Sequence, residues 1–177
     1  GKEYLGNKSL LNSPLANILP TKPESFSVEP FRPTLTELGK RHPVTNTLQL
    51  SFENGNWGKW FSFIKTSKIS GKTLMKAGDY PLLIINEVSK GRVAQLLSDQ
   101  SWVWKKDLEN RGPLVELLRN TIHWLLKTPE LQENYLKIFK DESNITLNLN
   151  SLYEENIQAI IKTPSGNELS ILMKDDK

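Results

Sequence analysis

The sequence predicts a mixed α/β chain in two parts, an α/β domain over residues 1–140 and the beginning of a β-rich, sandwich-like domain over residues 141–177. Three observations predict it. Two apolar runs, Pro81 to Val88 and Arg92 to Leu97, flank Ser89-Lys90-Gly91 and read as a β-hairpin in which Gly91 takes the positive φ of a tight turn. Leu114, Leu117, Leu118, Ile122 and Leu125 recur at three- and four-residue steps behind Pro113, which suits the first position of a helix. After Asp141 the pattern becomes alternation, through Ile145, Leu147 and Leu149, then Ile157, Ala159 and Ile161, then Leu169, Ile171 and Met173.

Taken in chain order, Ser9 to Leu19 has helical spacing at Leu11, Leu15, Ile18 and Leu19 before Pro20 stops it. Pro20, Pro23, Pro30 and Pro33 remove backbone donors, so the chain to Pro33 is expected to be a loop over a surface or along an edge. Leu35 and Leu38 suggest a short element, Arg41-His42-Pro43-Val44-Thr45 a turn, and Asn54-Gly55-Asn56 another. Trp57, Trp60, Phe61, Phe63 and Ile64 read as a strand with one buried face. Thr73-Leu74-Met75 predicts a neighbour for the hairpin, and Leu82-Leu83-Ile84-Ile85 is too continuously apolar for an exposed edge. Thr128-Pro129 interrupts the long helix, and Glu130 to Lys140 is expected to continue as a second, more polar one. Thr163-Pro164-Ser165-Gly166-Asn167 is a turn.

Composition excludes several functions. Hydrophobic residues are 37% of the chain, enough for a core. The net charge of +3 comes from basic residues scattered among nearly as many acidic ones, which disfavours nucleic acid as a partner. There is no cysteine, which removes disulfides, thiolate metal sites and cysteine nucleophiles from this chain together. No apolar run reaches the roughly 20 residues of a membrane span. The ends, Gly1-Lys2-Glu3 and Lys174-Asp175-Asp176-Lys177, read as cuts from a longer chain.

The candidate ligand-facing residues are Ser98, Asp99, Gln100, Trp102 and His42. Ser98-Asp99-Gln100-Ser101 lies at the carboxyl end of a predicted strand and ahead of a helix, where α/β folds place ligands. A structural role competes, because Asp99 or Ser101 can cap a helix or close a turn. Only two histidines occur, His42 in a turn and His123 on the helix, too few for a metal site or a histidine triad. The five tryptophans could stack on a sugar, as in a carbohydrate-binding module, but read first as core and rim packing. No phosphate loop, nucleophile elbow or zinc-protease motif occurs, and no metal or cofactor is expected.

Three segments in order, Phe31 to Thr45, Gly91 to Trp104 and Gly112 to Leu126, the last running into Thr128-Pro129-Glu130-Leu131, resemble a bacterial family of glutamine amidotransferase-like proteins. In that family a class I amidotransferase-like domain is part of large membrane-anchored proteins. The resemblance covers most of residues 1–135 and implies a flavodoxin-like three-layer sandwich whose first strands precede Gly1. It also implies a membrane-associated place in the bacterial cell envelope, with the membrane reached only through segments outside this chain, itself expected to be soluble.

Active class I enzymes pair a Cys nucleophile with a His and a Glu at the end of a late strand. Here the comparable strand, Val93 to Leu97, runs into Ser98-Asp99-Gln100 with neither. Gln100 cannot accept a thiol proton, and a carboxylate such as Asp99, with an ordinary pKa of about 3.9, is a poor base for one. The expectation is a non-catalytic amidotransferase-like module that binds a protein partner or a small ligand. An active amidotransferase or hydrolase with its nucleophile upstream is the alternative.

Overall fold

The computed structural model describes residues 1–50, 56–106, 111–128, 133–141, 144–152 and 157–173. The predicted Asn54-Gly55-Asn56 turn falls largely outside these residues. The chain is mixed α/β and rich in strand, and it divides into two compact units, Gly1–Glu133 and Asn134–Lys177.

The first unit opens with short 3-10 turns rather than the α-helix expected over Ser9 to Leu19. Ser9 and Ser13 explain the difference: each side chain accepts from the backbone N–H two residues on, Leu11 and Leu15, and closes a separate turn. The proline-rich stretch that follows is not all loop. Strand β1 (Thr21–Ser27) pairs antiparallel with β3 (Phe63–Lys68), and the register shifts between Pro23 and Ser25, where Pro23 has no donor to give the ladder. Its place in a two-stranded ribbon is the edge position that Pro23 requires.

A four-stranded antiparallel sheet forms the centre, in the order β2 (Thr34–Leu35), β4 (Lys72–Ala77), β5 (Tyr80–Val88), β6 (Gly91–Leu96). As the apolar run implied, β5 is interior, and Leu82, Leu83, Ile84 and Ile85 are all buried. In the β5–β6 turn it is Ser89, not Gly91, that takes positive φ, at 53°. Val88 and Gly91 form the last cross-strand pair, so Gly91 is already in extended backbone. The ribbon and the sheet are joined where β6 ends: Ile64 N–H donates to Leu97 O and Leu97 N–H to Leu82 O, each at 2.8 Å.

Helix α1 (Glu37–Arg41) is capped by Thr36, whose hydroxyl accepts from Gly39 N–H at 2.9 Å. The short helix α2 (Val103–Lys106) carries Trp104, and the longer α3 (Leu114–Leu125) follows Pro113. The aromatic cluster is not one strand. Trp57 and Trp60 are buried in the loop ahead of β3, Phe61 is 46% exposed, and the strand starts only at Phe63. Trp60 and Trp104 pack tilted against each other with ring centroids 4.7 Å apart, and Trp104 Nε1–H donates to Gly58 O at 2.8 Å. These rings, with Val44, Leu48, Leu83, Ile85, Leu117 and Trp124, make the main core.

The buried face of α3 differs from the one its leucines suggest. Leu117, Asn120 and Trp124 are buried, whereas Leu118 and Ile122 are 44% and 52% exposed. Asn120 can be buried because its amide donates to Val44 O and to Thr47 Oγ1, both at 3.3 Å.

In the second unit, β7 (Tyr135–Lys140) pairs with β8 (Ile145–Asn150), and β9 (Gln158–Lys162) pairs with β10 (Glu168–Leu172). The helix expected to reach Lys140 is therefore a strand over Tyr135–Lys140. Leu136 and Ile138 alternate with Lys137 and Phe139, and they stand opposite Leu149 and Leu147 of β8. The turn from Thr163 to Asn167 closes as expected, with Gly166 at φ 87°. Both hairpins leave apolar side chains such as Ile138 and Ile160 largely exposed. Among the described residues no helix is long and apolar enough to cross a membrane.

Candidate functional site

Ser98 is buried where β6 leaves the sheet. Its Oγ donates to Ser62 O at 2.7 Å and accepts from Gln100 N–H at 3.1 Å, so one hydroxyl ties the strand end to the β3 side and starts the turn into α2. Asp99 is exposed, forms no side-chain cap, and among the described residues receives only the Gln100 amide, at 3.3 Å. Trp102 is half exposed beneath the Lys106 ammonium, 5.4 Å from the ring centroid. Of the tryptophans considered for stacking on a sugar, Trp57 is only 2% exposed. This strand end is thus a polar joint, with Asp99 and Trp102 facing water.

His42 belongs elsewhere. It follows α1 in extended backbone, as a residue before proline must, and its ring is fully buried. Its Nδ1 accepts from Val44 N–H at 3.2 Å, so the proton of the neutral imidazole sits on Nε2. That nitrogen stands 3.1 Å from Glu133 Oε1 but off the ring N–H direction, without a well-formed hydrogen bond. Trp124 packs edge-on against the imidazole, with centroids 6.1 Å apart, and its Nε1–H donates to the same Oε1 at 3.2 Å. The Lys72 ammonium donates to Oε2 at 2.5 Å. One carboxylate is therefore surrounded by three N–H groups from three places: the turn after α1, the first residue of β4 and the last turn of α3.

The electrostatics follow from this geometry. Burial by itself raises the Glu133 pKa. The imidazole N–H and the ammonium outweigh it and hold the carboxyl down at about 2, so Glu133 is ionised at neutral pH. The side chain is 10% exposed, while that of Lys72 is 40% exposed and reaches solvent. Arg92 backs the cluster: its guanidinium lies 4.8 Å from the Trp124 ring centroid, donates to Trp124 O at 2.7 Å and pairs with Glu87 at 3.0 Å. A cavity of about 270 Å³ opens beside the carboxylate, lined by Gly71, Lys72, Ile85, Asn86, Glu87, Trp124 and Glu133. Among the described residues no group of three or more His, Cys, Asp or Glu could hold a metal ion.

Of the five sequence candidates, only His42 enters this cluster. Lys72, Trp124 and Glu133 were not among them. Trp124 carried a signal, because it lies seven residues after Leu117 on the true buried face of α3. Glu133 carried none, since its surroundings read as a polar helix. Comparison with family models, curated proteins and solved structures gives no match for the chain.

Proposed function

We propose that the first unit is a glutamine amidotransferase-like module that binds or scaffolds without catalysing glutamine hydrolysis, within a membrane-anchored bacterial protein. In this reading the antiparallel meander and α3 form the back part of a flavodoxin-like three-layer sandwich. The hairpins after Glu133 form a separate β-rich unit. Membrane attachment rests on the resemblance alone.

The observation that carries the reading is the end of β6. Where an active enzyme of the class needs a His and a Glu, this chain has Ser98, Asp99 and Gln100. Ser98 is committed to Ser62 O and Gln100 N–H, and Asp99 carries no imidazole partner to make it part of a relay.

Ammonia release from glutamine, measured on the protein expressed from its whole reading frame, tests this. The expected outcome is no release above that of an Asp99→Ala variant. Turnover that disappears in Asp99→Ala would replace the binding module with an enzyme.

A further inference from the structure

The three groups around Glu133 are all donors. His42 presents Nε2–H, with Nδ1 taken by Val44 N–H. Trp124 presents its indole N–H, and Lys72 an ammonium. His42 is fully buried and Trp124 is 0% exposed, so both are held by the main core, and the Lys72 backbone is fixed in β4 opposite Ile85. The acceptor arrives differently. Glu133 lies outside helix and strand, in the bend between α3 and the strand β7. A preformed set of donors on rigid elements, filled by one carboxylate from a connecting segment, is the arrangement of a binding site occupied by a side chain of its own chain.

Two details extend this. Among the described residues the buried Nε2 of His42 has no well-aligned acceptor, so Glu133 fills the donor set imperfectly. The cavity adjoins the carboxylate and is walled by Ile85, Trp124 and the Asn86 side chain, whose amide N–H donates to Ser70 Oγ. Glu87 also lines the cavity, with Arg92 3.0 Å away to offset its charge.

We propose that His42, Lys72 and Trp124 form a binding site for a small monocarboxylate, which Glu133 occupies in cis. An external carboxylate enters by displacing the Glu133 side chain, takes the indole and imidazole N–H groups and the ammonium, and lays its short aliphatic part in the adjoining cavity. The site is independent of the amidotransferase reading, since it stands on the donor geometry alone.

The experiment empties the site. In the full chain carrying Glu133→Ala, sodium acetate is titrated against sodium chloride at equal ionic strength, following the thermal midpoint and acetate binding by calorimetry. Acetate is expected to raise the midpoint saturably and to bind at least tenfold more tightly than to the unsubstituted chain, where Glu133 competes as an intramolecular ligand. Adding Lys72→Met to Glu133→Ala should abolish both effects. The proposal is overturned if folded Glu133→Ala responds to acetate as it does to chloride, or if its acetate binding survives Lys72→Met. Should Glu133→Ala fail to fold in chloride, recovery of the native circular dichroism spectrum in acetate supports the site, and equal failure in both salts overturns it. Ammonia release plays no part in these readouts, so loss of the non-catalytic reading would leave the site standing, and the reverse.

Discussion

Replacing Gly39 with alanine opposes two physical effects of opposite sign. Gly39 lies inside α1, where alanine is favoured over glycine by about 1 kcal/mol on helix propensity. A Cβ there, however, would lie 2.1 Å from Leu74 O and 2.9 Å from Leu74 C, closer than Cβ atoms approach any atom, and the obstacle is the backbone of β4 rather than a movable side chain. The helix must retreat by about an ångström, which overpacking data put at 1–3 kcal/mol. That retreat also pulls on Thr36 N–H to Leu74 O at 3.0 Å and Thr36 Oγ1 to Thr73 O at 2.8 Å, together worth about 1 kcal/mol more. The clash wins by about 2 kcal/mol, which for a chain of this size lowers the melting midpoint by about 4–8 °C. Thermal unfolding followed by tryptophan fluorescence measures it. Gly6→Ala is the control, since its added Cβ meets only Glu3 O at 3.7 Å, and it should leave the midpoint unchanged. A Gly39→Ala protein as stable as its parent, or more stable, would show that α1 does not sit on β4 as described.

The acid limb of stability should carry Glu133. Its folded pKa of about 2 lies below the 4.5 of the free group, so its contribution is complete above pH 4.5 and disappears as pH falls towards 2. With solvent screening at Lys72, that contribution is about 2 kcal/mol, and denaturant titrations at pH 5 and pH 2.5 should show Glu133→Gln flattening the difference. Trp124→Phe keeps most of the ring but removes the N–H that reaches Glu133 Oε1, and denaturation should report a loss of about 1–2 kcal/mol. On α3, Leu117→Ala should cost about 2–4 kcal/mol and Leu118→Ala less than about 1, because the first is 1% and the second 44% exposed; equal losses would refute the assigned face.

What could be read from the sequence divides along the range of the forces involved. The β5–β6 hairpin and the interior place of Leu82 to Ile85 follow from local apolar density, and α3 from its helical period, so each was visible in a short window. The face of α3 was not. Four leucines and an isoleucine suggested one stripe, but burial follows Asn120 and Trp124, whose polar atoms find partners in the turn after α1 and at Glu133. Those partners are 76 and 9 residues away, and no periodicity along the helix announces a donor that will be satisfied from elsewhere.

The Glu133 cluster carries the same argument to its limit. His42, Lys72, Trp124 and Glu133 are spread over more than half of the chain, and none stands in a motif with another. What brings them together is the tertiary placement of α1, β4 and α3, each set by apolar contacts that say nothing about the polar groups they carry. Pattern can therefore predict that these elements form and pack. Whether a carboxylate is then met by three donors, and whether that carboxylate must be the protein's own, depends on geometry at the scale of a hydrogen bond, and only emptying the site by substitution separates a structural ion pair from a receptor for carboxylates.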